Sequence, residues 1–199
     1  MIAALLRGLA HTSPLEDLAV LLGVVYILLI LKRNRYGWIA GGLSSAIYVY
    51  LAARALLPMQ SVLQAYYVVM SFYGWFSWSG SKRAGQPPAI VRWPARYHLT
   101  ALAAIVLMSF ISSHWLALET HAAWPYLDSF TTWVSLLATW MVARMKLENW
   151  LYWITADAIT SYLFAAQGHP VSTGLFLTYL VIAIVGFREW LRQYRLQPR

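Results

Sequence analysis

A chain of 199 residues that is 60% hydrophobic and only 11% charged lies far from the soluble norm, in which about a quarter of residues are charged. It has no cysteine, which excludes disulfides, thiol catalysis and thiolate metal sites. A formal charge of +8 could suit nucleic acid, but in so apolar a chain it reads as basic loops on one face of a bilayer, and no nucleic-acid partner is expected.

The opening stretch, MIAALLRGLAHTSPLED, carries a short apolar run without an A-x-A-like site. It is therefore expected to stay as a segment (1–15) rather than to be cleaved as a signal. Seven helical spans follow, at about 16–33, 36–57, 60–79, 96–117, 127–145, 148–167 and 170–190. Each is long enough to cross roughly 30 Å of hydrocarbon. The basic connector at 80–95 contains the one linker-like stretch, and 191–199 forms a tail. Short loops elsewhere make neighbouring helices antiparallel.

The basic residues set the expected orientation. Lys32, Arg33 and Arg35 follow the first span, and Lys82, Arg83, Arg92 and Arg96 follow the third. Arg144 and Lys146 follow the fifth, and Arg188, Arg192, Arg195 and Arg199 close the chain. Only Arg7 and Arg54 fall on the other side. By the positive-inside bias, the N-terminus lies outside and the C-terminus in the cytoplasm.

The chain also repeats itself. Residues 38–78 align without a gap on 150–190, and twelve of 41 positions are identical. The matches include Trp38/Trp150, Pro58/Pro170, Tyr67/Tyr179, Gly74/Gly186 and Trp78/Trp190. Shared apolar composition does not readily put Trp, Pro, Gly and Trp in one register. The first three spans thus resemble the last three, and the fourth, an odd crossing, leaves both units in one orientation. The fold class expected is an all-α membrane protein with two parallel three-helix repeats joined by a linking helix (96–117). Bundle one covers 16–79 and bundle two 127–190. Transporters built this way bind substrate between the halves.

Of seven carboxylates, Asp157 alone sits near the centre of a span. A charge at mid-membrane costs at least a few kcal/mol, so it normally faces a cavity or a partner. On the sixth span Trp150, Trp153, Asp157, Thr160 and Ser161 share one helical face. Thr131 and Ser135 lie on a polar stripe of the fifth, and Gln64, Tyr67 and Ser71 on one of the third. Such stripes are expected to turn inward around a wet cavity. Aromatic faces beside a carboxylate suit a flat cationic ring. The first-repeat counterpart of Asp157 is Ser45, so the two halves are not equivalent.

Other chemistries lack their residues. The five histidines are not paired at helical spacing, so no metal is expected. No GxxxxGK[ST] element appears, so direct ATP driving is unsupported. An intramembrane enzyme using Asp157 as acid/base would lack a second mid-membrane carboxylate or nucleophile pair. A receptor or purely structural role is the other alternative.

The segments DSFTTWVSLLATWMVARMKLENWLYWITADAITSYLF (128–164) and YLVIAIVGFREW (179–190) carry a family resemblance, with support from NRYGWIAGGLSSAIYVYL (34–51) and YYVVMSFYGWFSW (66–78). The sequence resembles the PnuC family of vitamin transporters, best known for nicotinamide riboside, and the E-[NQ]-W-x-x-W-x-x-x-[ND] element is its most specific mark. The resemblance implies two three-helix bundles related to the SWEET proteins and a homotrimer in the bacterial inner membrane, with no cofactor. It further implies facilitated diffusion, the substrate being trapped by a separate cytoplasmic kinase. It puts the substrate ring near Trp150, Trp153 and Asp157, with Gln64, Tyr67, Ser71, Thr131, Ser135 and Tyr179 as further contacts. Relatives within the family carry thiamine, riboflavin or deoxynucleosides, so these remain alternatives to nicotinamide riboside.

Overall fold

Seven α-helices run through the described residues of the computed structural model, which are 13–54, 58–79, 88–119 and 124–197. The segment before residue 13, Lys82, Arg83 and Arg199 lie outside the described residues. The helices are α1 (Pro14–Leu31), α2 (Tyr36–Arg54), α3 (Pro58–Ser79), α4 (Ala95–Glu119), α5 (Pro125–Ala143), α6 (Asn149–Ala166) and α7 (Pro170–Leu196). They agree with the seven expected spans to within a few residues, except that α7 continues beyond 190 into the tail. No strand is present among the described residues, only an isolated bridge between Val91 and Lys146.

The helix starts have local causes. Ser13 caps α1 by accepting the Glu16 amide at 3.2 Å, Pro14 occupies the first turn, and Glu16 and Asp17 face its positive end. Pro170 likewise occupies the first turn of α7, there without a side-chain cap or an acidic residue. At the end of α6 the chain turns through Gly168 at φ +74°, a conformation that a side chain would strain.

Burial is inverted relative to a soluble protein. Leu18, Leu21, Val25 and Leu28 make an exposed apolar stripe on α1, and Leu99, Val106, Leu107 and Phe110 do so on α4. Meanwhile Ser44, Ser45, Ser113, Thr131, Thr139, Asp157 and Ser161 are buried. Water would penalise such an outer surface, whereas hydrocarbon favours it. By length and composition alone, α1, α7 and Ala95–His114 of α4 are apolar enough to cross a membrane. The other four helices carry most of the buried hydroxyls and tryptophans, which lower their apolarity.

The chain divides into two compact units. The first runs to Ala89 and takes in Val142–Met145; the second comprises Ile90–Met141 and Lys146 onward. In the first unit α2 packs on both α1 and α3, and in the second α7 packs on α6.

Within each unit the same clasp recurs. In the first, the Trp38 and Trp78 rings meet edge to face with centroids 5.4 Å apart, and Gly74 faces the Trp38 ring so closely that a Cβ there would run into it. In the second, Trp150 and Trp190 meet edge to face at 5.5 Å, and a Cβ on Gly186 would lie 2.6 Å from the Trp150 ring. All four tryptophans are buried. The glycines match because each lets an indole lie against a helix backbone.

The turns match as well. Arg33 (φ 54°) and Met145 (φ 53°) are the non-glycine residues in the left-handed region among those described, and they are repeat equivalents. Around them Arg33 N–H donates to Ile30 and Asn34 N–H to Leu29, just as Met145 N–H donates to Val142 and Lys146 N–H to Met141. Repetition thus reaches further towards the N-terminus than sequence identity does.

Candidate functional site

The second unit is built on the turn that starts α6. Glu148 is buried, and its carboxylate takes the Arg92 guanidinium at 3.1 Å on one oxygen and the Trp93 amide at 3.1 Å on the other. Leu147 N–H donates to the Val91 carbonyl at 3.0 Å, and the Asn149 amide donates to the Lys146 carbonyl at 2.6 Å. The bonds from Arg92, Trp93 and Leu147 clamp the entry of α6 to the segment that leads into α4, and the Asn149 bond closes the turn itself. An aromatic group seals the same end: Trp93 stacks on Tyr97 and meets His98 edge on, and His98 Nδ1 lies 2.9 Å from the Tyr152 hydroxyl. Glu148, first of the five specified residues in the family element, therefore anchors backbone.

From this fixed start, α6 carries Trp150, Trp153, Asp157 and Ser161 along one face. The stripe from Trp150 to Ser161 is about 16 Å long at 1.5 Å per residue. Trp150 (4% exposed) is the ring of the second clasp, and its Nε1–H is buried without a partner among the described residues. Trp153 is half-buried against a cluster of Ile105, Val134, Ala138, Met141, Tyr152 and Ala156. Asp157 is 6% exposed, and among the described residues no hydrogen bond or ion pair reaches its carboxylate. The buried Ser161 hydroxyl, one turn on, also lacks a partner. Buried polar groups are normally satisfied, and a carboxylate left alone is among the most costly exceptions. The Trp38 Nε1–H of the first clasp is equally without a partner among the described residues. It is therefore the Asp157 carboxylate and the Ser161 hydroxyl that mark a place on α6 where something other than this chain completes the bonding.

The remaining candidate residues divide between the units. Thr131 is buried on α5 with its hydroxyl donated to the Asp128 carbonyl at 3.0 Å. Ser135 is half-buried one turn further on, and Tyr179 is half-buried on α7, with its ring edge-on to Phe176. These share the second unit with Asp157. Gln64, Tyr67 and Ser71 belong to α3 of the first unit. Gln64 and Tyr67 are half-buried, and Ser71 is buried with its hydroxyl donated to the Tyr67 carbonyl at 2.8 Å. Ser71 also lines a groove between α2 and α3. No cluster of His, Asp or Glu able to hold a metal occurs among the described residues.

Two features were not read from the sequence. One is the Glu148 clamp, whose partners lie more than fifty positions away; the charge simply read as a span end. The other is an exchange of bulk between the repeats. Tyr26 packs against Gly41 in the first unit, where a Cβ would lie 2.7 Å from the Tyr26 ring. At the equivalent positions the second unit has Ala138 and Trp153, with Trp153 against the Ala138 cluster. A search for identities skips such pairs, although their opposed sizes are the signal.

An apolar exterior around buried hydroxyls and an unpartnered carboxylate defines a multi-pass membrane protein with a polar interior. Residues 13–192 match the family described as nicotinamide mononucleotide transporter, and the chain belongs to this family, the PnuC family. It is 26% identical over 159 residues to the nicotinamide riboside transporter PnuC of Escherichia coli, covering 67% of this chain and 66% of that protein, a little under two thirds of its length. It is 25% identical over 185 residues to the riboflavin/roseoflavin transporter RibM of Streptomyces davaonensis, covering 90% of this chain and 85% of that protein. Its fold resembles the crystal structure of the vitamin B3 transporter PnuC, with a TM-score of 0.75 at 22% identity over 98% of this chain and 87% of that one.

Proposed function

We propose that this protein carries nicotinamide riboside across the bacterial inner membrane by facilitated diffusion, with a separate cytoplasmic kinase trapping the product. The observation that supports it is the buried face of α6, where the Asp157 carboxylate and the Ser161 hydroxyl have no partner among the described residues. A permanently cationic pyridinium would compensate Asp157. Trp153 would lie against the ring, and the ribose hydroxyls would meet Ser161 and hydroxyls on α5. An indole face attracts a cation by about 0.5–2 kcal/mol, more as water is excluded. Thr131, Ser135, Tyr179, Gln64 and Tyr67 complete the proposed lining. Ser71, whose side chain lines the groove between α2 and α3, is left out.

In this reading two parallel three-helix repeats, α1–α3 and α5–α7, rock about the site with α4 as their link, in each protomer of a trimer. The N-terminus lies outside and the C-terminus inside. The clasps support this division of labour, since each would keep its own bundle rigid.

A second reading has its own support. The relative RibM matches 90% of this chain, which favours riboflavin, a larger and uncharged ring system. The two differ in what Asp157 should do, because a carboxylate helps the cation and not the neutral flavin. Uptake of labelled nicotinamide riboside into proteoliposomes, with riboflavin and thiamine as competitors, decides between them. Saturable riboside flux that excess riboflavin leaves untouched is the expected result. Riboflavin flux without riboside flux would replace the first reading with the second.

A further inference from the structure

We infer that the groove between α2 and α3 is a binding site for one anionic phospholipid, separate from the transport site. Its volume is about 440 Å³, within the range of built small-molecule sites. Leu43, Phe72 and Phe76 line it and are among the most exposed large side chains of the first unit, and the small residues Gly42 and Ala46 lie between them on α2. The Ser71 hydroxyl in its wall is already donated to the Tyr67 carbonyl, so the groove offers a polar guest little. It asks for hydrocarbon.

Its place in the fold selects the source of that hydrocarbon. The lining runs from Trp38 to Ala46 on α2 and from Val68 to Phe76 on α3, about 12 Å along each helix axis. That is close to the roughly 15 Å depth of one leaflet's hydrocarbon. At one end the Arg35 guanidinium lies over the Trp75 ring, 4.7 Å from its centroid, and Trp75 itself lines the groove. Arg35 is exposed, contacts the Ser79 hydroxyl at 3.4 Å, and has no carboxylate in ion-pair reach among the described residues. A cation held by an indole at the leaflet surface above a leaflet-deep apolar slot matches a phosphate headgroup above its acyl chain. Lys32, exposed one turn away, adds to the positive field.

The test is native mass spectrometry of the full chain released from nanodiscs of equal parts phosphatidylglycerol and phosphatidylethanolamine. The wild type should retain one lipid per protomer with phosphatidylglycerol preferred. Arg35→Gln should lower that preference about fivefold, the effect of one basic side chain near the bilayer surface. Ala46→Phe, which fills the slot, should remove the retained lipid. Arg54→Gln, at the opposite end of α2, should change neither. Riboside uptake measured in parallel should be unaltered in both groove variants, so failure of the lipid site and failure of the transport reading are separable. An unchanged lipid preference in Arg35→Gln would overturn the proposal. So would lipid retained by Ala46→Phe, or a wild type that retains none while Ala46→Phe reduces the mass of the assembly, since a second copy would then occupy the groove.

Discussion

The two units keep the same frame and fill it differently. Trp38, Gly74 and Trp78 in one unit stand in the same mutual contact as Trp150, Gly186 and Trp190 in the other, and the turns before α2 and α6 share their left-handed residue. On the faces of those helices the contents diverge. Where α2 carries Gly41 and Ser45, α6 carries Trp153 and Asp157. A duplicated bundle can change chemistry on a helix face only while the contacts that fix the helix stay constant. Here these are indole-on-glycine contacts, which tolerate no side chain at the glycine.

The exchange of bulk offers the strongest way to break this comparison. Gly41→Trp alone should cost about 3 kcal/mol by overpacking against Tyr26. Tyr26→Ala alone should cost about 3 kcal/mol by opening a cavity. The double variant copies the Ala138/Trp153 pair and should recover about 2 kcal/mol of the combined loss. Thermal unfolding in detergent reads this as a double-variant midpoint well above the one that adding the two single losses would give. Simple additivity would mean that the exchanged bulk is not one packing unit.

Next in size is the chemical difference. Asp157→Ala should weaken riboside binding by about 2–3 kcal/mol, roughly 30- to 150-fold in Kd, with little change in the unfolding midpoint. The converse substitution, Ser45→Asp, puts a second carboxylate at the equivalent buried position of α2, where Ser45 is only 8% exposed. It should destabilise the fold without adding affinity. Calorimetry on the two variants separates them, and equal loss of affinity in both would show that the halves are chemically alike.

The clasps come third. Gly74→Ala and Gly186→Ala should each cost about 2 kcal/mol, because a methyl group must displace an indole from a packed site. The two losses should be similar, and Gly186→Ala should also reduce transport because Trp150 carries the start of the α6 stripe. A clear loss in one and none in the other would end the case for equivalent frames.

Much of this could be read in the linear order of residues. The seven expected spans correspond to the seven helices of the described residues, although only three of these are apolar enough by composition alone to cross a membrane. The repeat was legible because Trp, Pro and Gly are uncommon enough for an ungapped match to carry weight. Asp157 stood out because one carboxylate within a span is conspicuous. The missing polar partners around it were not readable, because satisfaction is a property of neighbours. Trp150 shows the limit from the other side. The sequence places it beside the ligand, whereas its ring packs on Gly186 and Trp190, as Trp38 packs on Gly74 and Trp78 in the other unit.

Glu148 supplies the smallest effect and the finest distinction between the units. Its first-unit counterpart is Tyr36, an exposed aromatic residue that meets Trp75 edge on. In the second unit the same position carries a buried carboxylate that holds Arg92 and the Trp93 amide. Because Arg92 remains 63% exposed in its side chain, the ion pair itself should contribute little. The bond to the Trp93 amide is different, since removing the acceptor leaves a part-buried donor unpaired. Glu148→Ala should therefore cost about 1–2 kcal/mol, whereas Glu148→Gln, which keeps an acceptor oxygen, should cost less than about 1 kcal/mol. Arg92→Gln should resemble the milder variant. Thermal midpoints in that order would make Glu148 an anchor for backbone. If Arg92→Gln proved as harmful as Glu148→Ala, charge would be the operative term, and the α6 entry would be held by an ion pair that has no counterpart at Tyr36.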